Sequence, residues 1–63
     1  MEKLIIEIDM INYQINLYEE DEDLVLEIYD MWNGQFIYEG FADIKSETLT
    51  QLVKKIIKDY QEN

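Results

Sequence analysis

The sequence contains no cysteine and no histidine, and all five of its basic residues are lysines. The absence of cysteine excludes a disulfide framework, a thiolate zinc site and a thiol nucleophile. The absence of histidine removes the usual general base and the commonest metal ligand. We therefore expect a protein that is not an enzyme and that has no cofactor.

Long apolar runs are also absent. Residues 1–7 contain no extended apolar region and no small-residue cleavage site. No part of the chain approaches the roughly 18 apolar residues that a membrane-spanning helix needs. We therefore expect a soluble protein of the cytoplasm that does not bind membranes.

The 63 residues suffice for one small domain, residues 1–63. A domain of this size buries only about 60% of the surface that its unfolded chain exposes. The hydrophobic content of 48% is nevertheless high enough to offset the chain entropy of folding. We therefore expect a folded protein with a small core.

Negative charge dominates the chain and is unevenly distributed. Fifteen acidic residues against five lysines give a net charge of −10, with −11 in residues 1–44 and +1 in residues 45–63. Repulsion among these charges destabilises the fold, and small domains are soluble with a net charge of magnitude about 2–8. The excess favours recognition of a basic partner and disfavours direct nucleic-acid binding, which requires cations.

A helix is predicted over residues 46–61. Its apolar residues follow the spacing of an amphipathic helix face: Leu49, Leu52, Val53, Ile56, Ile57 and Tyr60. Ser46 is the predicted N-cap. The three lysines at 54, 55 and 58 lie toward the negative end of the helix dipole.

A β-hairpin is predicted at Asn33-Gly34, because type I′ turns favour this dipeptide. Counting outward from the turn pairs Leu26 with Phe41. Side chains alternate along a strand, so the core face is predicted to carry Leu24, Leu26, Ile28, Ile37 and Phe41. The second face is predicted to carry Val25, Glu27, Tyr29, Met31, Phe36 and Tyr38.

A second loop is predicted at residues 20–23, as a four-residue connection that pairs Glu19 with Leu24 and Ile15 with Ile28. The apolar alternation also changes phase near residues 9–12, which indicates either a β-bulge in one bent strand or a tight turn between two strands. The predicted fold is therefore α+β with two layers: an antiparallel β-meander of three to four strands, followed by one C-terminal amphipathic helix packed on one face.

The acidic run at residues 19–23 is the most unusual local feature. It lacks the EF-hand pattern, so no metal site is predicted. It is either a solvated loop without a function or part of an acidic recognition surface. The aromatic second face of the sheet is likewise a binding platform or homodimer face, unless Met31, Trp32 and Phe36 only form a small cluster at the hairpin end or the N-terminal strand folds over this face.

In composition, this small acidic chain with a tyrosine-rich sheet and one helix resembles phage- or plasmid-encoded inhibitors of host defence and nucleic-acid enzymes: anti-restriction proteins, anti-CRISPR proteins and uracil-DNA glycosylase inhibitors. The resemblance implies an inhibitor that acts in the bacterial host cytoplasm. Its carboxylates would replace phosphates in the basic nucleic-acid-binding groove of a partner protein. The candidate partner-binding residues are Tyr18, Glu19, Glu20, Asp21, Glu22, Asp23, Glu27, Tyr29, Asp30, Trp32, Tyr38 and Glu39.

The alternative interpretation is an acidic antitoxin-like or immunity-like subunit, or a small homodimer with a structural role. Such a protein shares the electrostatics but needs no phosphate geometry. Competition with nucleic acid distinguishes the two interpretations.

Overall fold

The computed structural model describes residues 2–42 and 48–62. Its elements are β1 (Glu2–Ile8), β2 (Ile11–Glu20), β3 (Asp23–Asp30), β4 (Gln35–Phe41) and α1 (Leu49–Glu62). The strands form one antiparallel sheet in the order β1-β2-β3-β4. The predicted two-layer α+β fold is confirmed, with four strands and a tight turn near residues 9–12.

The core lies between one face of the sheet and α1. Its buried residues come from the two central strands and the helix: Tyr13, Ile15, Leu17, Leu26, Ile28, Val53 and Ile57. A fully buried aliphatic side chain of this kind contributes about 1.5–3 kcal/mol. The helix face inferred from apolar spacing is the one that packs here, since Leu52, Ile56 and Tyr60 border the core.

Helix α1 begins at Leu49 with a capping box. The backbone N–H of Thr48 donates to Gln51 Oε1 at 3.0 Å, and the backbone N–H of Gln51 donates to Thr48 Oγ1 at 3.2 Å. This reciprocal pair satisfies backbone donors at the helix start, so Thr48 is the N-cap. Ser46, the predicted N-cap, lies outside the described residues.

The turn between β1 and β2 consists of Asp9 and Met10, with φ of 54° and 69°. Both values lie in the left-handed region that a type I′ turn requires. The turn reverses the chain so that Ile8 pairs with Ile11. It therefore accounts for the phase change in the apolar alternation.

The turn between β2 and β3 is also a two-residue turn, formed by Asp21 and Glu22 with φ of 50° and 73°. It is shorter than the predicted four-residue loop because Glu20 pairs with Asp23. The predicted register survives this change, since adding one pair at the end of the ladder moves no other pair. Glu19 lies opposite Leu24, as predicted.

The predicted type I′ turn at Asn33-Gly34 is wrong. The loop between β3 and β4 has four residues, 31–34, and is flanked by the pair Asp30 and Gln35. Of these loop residues only Gly34 has a positive φ, 66°. Four-residue hairpin loops of this kind are usually built around a type I turn.

The carboxylate of Asp30 holds this loop and ties it to the helix. Oδ1 accepts hydrogen bonds from the backbone N–H groups of Trp32 (2.8 Å) and Asn33 (3.1 Å). Oδ2 accepts from Asn33 Nδ2 and from the Tyr60 hydroxyl, both at 3.0 Å. Asp30 is only 1% exposed, so its charge is stabilised by hydrogen bonds rather than by water.

A β-bulge follows the loop on β4. Tyr29 pairs with Phe36, whereas the preceding residue Ile28 pairs with Tyr38, so Ile37 is the extra residue. A one-residue slip moves every later side chain to the opposite face. This slip explains the errors in the predicted faces.

Beyond the bulge, Gly40 lies opposite Leu26 and Phe41 lies opposite Val25. The predicted pairing of Leu26 with Phe41 is therefore wrong, and Phe41 is 68% exposed on the face away from the helix. Tyr38 instead lies on the core side, where its hydroxyl would be 2.6 Å from a Cβ at Gly40. A side chain at position 40 would displace this ring.

Asp30→Asn should destabilise the protein at neutral pH by about 2 kcal/mol, because hydrogen bonds to charged groups contribute about 1.5–3 kcal/mol. Burial raises the pKa of Asp30, but hydrogen bonds from Asn33, Tyr60 and Trp32 outweigh it and lower the pKa. Because its pKa is lowered in the folded state, the charged carboxylate stabilises the fold at pH values above the ordinary carboxyl pKa of about 3.9. This stabilisation is lost as the pH falls through the folded-state pKa.

Urea denaturation at neutral and acid pH measures this effect. The difference in unfolding free energy between the parent and Asp30→Asn should shrink at acid pH. Asp21→Asn in an exposed turn is the matched control and should change stability by less than about 0.5 kcal/mol. A pH-independent difference would contradict the role of the charged carboxylate.

Glu22→Gly should stabilise the protein by up to about 1 kcal/mol, because the left-handed conformation is unfavourable for residues with a Cβ. Glu22→Ala is the matched control, since it removes the same charge but keeps the Cβ. Thermal melting of the two variants separates backbone strain from charge. A larger gain for the alanine variant would show that charge repulsion dominates at this turn.

Candidate functional site

The face of the sheet opposite α1, hereafter the outer face, is covered by no other element within residues 2–42 and 48–62. Strand pairing arranges its side chains in rows across the sheet, and the three central rows extend over three or four strands. The first row is Ile5, Gln14, Tyr29 and Phe36. The second row is Lys3, Asn16, Glu27 and Glu39. The third row is Tyr18, Val25 and Phe41.

Aromatic rings occupy both ends of this surface. Tyr29 and Phe36 contact each other edge to face, with ring centroids 5.2 Å apart. Val25 lies between its cross-strand partners Tyr18 and Phe41 and is only 4% exposed. The rings therefore form a small apolar layer outside the core, and part of it faces water.

Carboxylates lie between the rings and beside them. Glu27 and Glu39 are directly opposite each other on neighbouring strands, and Glu20 is opposite Asp23 at the turn end of the sheet. Asn16 Nδ2 donates to Glu27 Oε1 at 3.5 Å. Like charges in directly opposed positions destabilise a sheet, so this arrangement is not explained by folding.

A cleft of about 220 Å³ opens on the outer face, and its walls combine rings and carboxylates. It is lined by Tyr18, Glu20, Val25, Glu39, Gly40 and Phe41. Burial raises the pKa of the Tyr18 hydroxyl, and the negative charges of Glu27, Glu39 and Glu20 raise it further. The cleft therefore has a negative potential and suits a cationic group.

The structure brings together half of the predicted partner-binding residues on the outer face. These are Tyr18, Glu20, Asp23, Glu27, Tyr29 and Glu39. Asp21 and Glu22 form the turn at the end of this face. The acidic run is thus continuous with the acidic part of the sheet.

The other four predicted residues lie elsewhere. Glu19 is exposed on the helix side of the sheet, opposite Leu24. Tyr38 is on the same side, and Asp30 is buried there as a structural residue. Trp32 is 80% exposed in the loop at the opposite end of the sheet from the acidic turn.

Phe41 is the outer-face residue that sequence reasoning placed on the wrong side. Its face depends on the bulge, because the change from a two-residue to a four-residue loop shifts the pairing by two residues and leaves every side chain on its predicted face. The sequence contains a signal for the loop but not for the bulge: Asp30 is a residue type favoured at the first position of a type I turn, and Gly34 follows the turn. Reading this pattern would have placed Phe36 and Tyr29 opposite each other.

The described part of the chain contains no group of three acidic side chains arranged to hold a metal ion. No helix within residues 2–42 and 48–62 is long and apolar enough to cross a membrane. No family model, curated protein or solved structure matches this chain.

Glu39→Lys should stabilise the protein by about 0.5–1 kcal/mol, because it replaces a like-charge cross-strand pair with an opposite-charge pair. Glu19→Lys makes the same change in net charge on the other side of the sheet and serves as the control. Urea denaturation at low salt should show a larger gain for Glu39→Lys, and added salt should narrow the gap. Equal gains would mean that net charge alone matters.

Proposed function

We propose that this protein is a non-enzymatic acidic inhibitor, of the type encoded by phages and mobile elements, that binds the basic nucleic-acid-binding groove of a host defence or DNA/RNA-processing protein. The observation that supports the proposal best is the outer face itself. Exposed aromatic rings and opposed carboxylates share one uncovered surface. Neither feature contributes to the core on the other side of the sheet.

The chemistry of this surface mirrors that of single-stranded nucleic acid. Proteins that bind single strands combine a cationic groove for the backbone with aromatic side chains for the bases. Glu20, Glu27 and Glu39 supply anions for the cationic positions, while Tyr29 and Phe36 supply rings for the stacking positions. Glu27 and Asp23 are four residues apart on β3, so the outer face presents carboxylates over about 13 Å along this strand.

The cleft supports a specific contact within this interface. An arginine or lysine side chain of the partner would place its charge between Glu20 and Glu39 and its stem against Phe41. Carboxylates form strong charge-assisted hydrogen bonds with such cations, and aromatic rings attract them through their faces. Phe41 is the ring available for this contact, since it is 68% exposed.

The sheet layer would attract basic proteins over long distances. Residues 1–44 carry −11, and charge complementarity of this kind raises association rates more than it raises affinity. The antitoxin-like or immunity-like interpretation uses the same electrostatics. It differs because the partner's nucleic acid would remain bound.

Inhibition should be competitive with DNA or RNA and should weaken steeply as salt rises, because both ligands occupy the same cationic groove. The partner is first identified by affinity capture on the immobilised protein. Purified partner, labelled nucleic acid and this protein are then mixed in a native gel. Nucleic acid should be released, and no ternary complex should form.

Matched variants test which surface is responsible. Combined Glu20→Gln and Glu39→Gln should weaken competition by about tenfold or more, whereas combined Glu19→Gln and Glu62→Gln, with the same net charge, should retain it. Phe41→Ala should mainly increase the dissociation rate. A stable ternary complex, or equal losses in both double variants, would contradict groove mimicry through the outer face.

A further inference from the structure

The free edge of β1 is the feature that the proposed function does not use. β1 is an edge strand of the sheet among the described residues, and its seven-residue ladder with β2 has no bulge. Leu4 and Ile5 on this strand are 43% and 56% exposed. Regular, apolar edge strands are templates for pairing with another chain. The other edge, β4, is interrupted by its bulge.

The backbone groups that face this edge follow from the ladder. Met31 N–H donates to Asn12 C=O at 3.1 Å, so the backbone groups of Asn12 are directed away from β1. Asn12 and its β1 partner Glu7 are therefore a non-hydrogen-bonded pair, and such pairs alternate with bonded ones. Glu7, Ile5 and Lys3 consequently direct their N–H and C=O groups to the free edge.

We propose that two copies of this chain pair antiparallel through β1, with Ile5 opposite Ile5 of the second copy. This register places Lys3 opposite Glu7 of the second copy, and Glu7 opposite its Lys3. Opposite charges in directly opposed positions stabilise a sheet. Leu4 then lies opposite Ile6 of the second copy on the core side, which extends the apolar core across the junction.

The same register makes a second charge match on the core side. It places Glu2 of the second copy opposite Ile8. Ile8 lines a shallow cleft with Asp9, Lys54, Lys55, Lys58 and Gln61. Glu2 of the second copy therefore approaches three lysines of α1. The charge matches on both faces thus come from one register.

Other registers lose these matches. Side chains alternate between the two faces of a strand, so the two core faces stay on the same side only if the pairing between the two β1 strands shifts by an even number of residues. The smallest such shifts are two residues in either direction. One such shift places Lys3 opposite Ile5, and the other places Ile5 opposite Glu7, so neither pairs Lys3 with Glu7. A two-fold axis perpendicular to the sheet relates the copies, as expected for a self-complementary interface.

The dimer has one eight-stranded sheet with both helices on one side. Its two outer faces lie next to each other on the opposite side and form one long acidic surface. The proposal of a dimer is independent of the proposed function, because the edge residues of β1 do not line the cleft on the outer face. If both hold, the dimer lengthens the surface presented to a partner's groove.

Sedimentation equilibrium on charge-swapped variants tests the register. Lys3→Glu and Glu7→Lys should each weaken dimerisation by about tenfold or more, because the two-fold axis duplicates each new repulsion. The double variant, Lys3→Glu with Glu7→Lys, has the parent's net charge and should restore dimerisation. A monomeric parent at all concentrations, or no recovery in the double variant, would overturn the proposal.

Two further measurements distinguish pairing through β1 from a protective role of Lys3 and from pairing through β4. If Lys3 only protects the edge from association, Lys3→Ala will strengthen association, whereas the proposed pairing requires that it weakens it. Amide hydrogen exchange at Lys3, Ile5 and Glu7 should slow as protein concentration rises, while exchange at Leu4 and Ile6, already bonded to β2, should change little. Concentration-dependent protection confined to β4 would also overturn the proposal. None of these results depends on competition with nucleic acid.

Discussion

In the described part of the chain, residues 2–42 and 48–62, a single short helix covers the sheet, and the rest of the structure depends on this limit. Helix α1 has 14 residues and is about 21 Å long, which suits one face of a sheet whose four strands lie about 4.8 Å apart. The core therefore forms on one side only. The outer face must remain in contact with water, and any apolar side chain there increases the tendency to bind something else.

The outer face has a composition that stability alone does not favour. Opposed carboxylates at Glu27 and Glu39 repel, and Phe41 exposes most of its ring. Residues that violate local folding rules without a structural gain mark functional surfaces in natural proteins. The one-sided core allows this arrangement, because the buried residues beneath α1 stabilise the sheet independently. The proposed recognition by the outer face and the stability of the fold therefore place conflicting demands on the same residues.

Apolar spacing predicted the helix face. Together with a loop at residues 20–23, it also predicted the register between β2 and β3, in which Ile15 and Ile28 share the buried face. The charge count, −11 in residues 1–44 against +1 in residues 45–63, separately predicted an acidic sheet layer. The turn prediction from the Asn33-Gly34 dipeptide was wrong. Asn33-Gly34 is the stronger type I′ signal, yet the type I′ turns formed at Asp9-Met10 and Asp21-Glu22. Strand pairing across the whole sheet outweighed the local preference of these residues.

By itself, the sequence determined the order of elements, the buried face of the central strands and the charge asymmetry, because these depend on spacing and composition. Tertiary structure decided which side chains share the outer face. Asp30 accepts a hydrogen bond from Tyr60, 30 residues away, and so ties the β3–β4 loop to the helix. The bulge beyond the loop shifts the register of β4 by one residue. One residue is enough to exchange Tyr38 and Phe41 between faces, because side chains alternate along a strand.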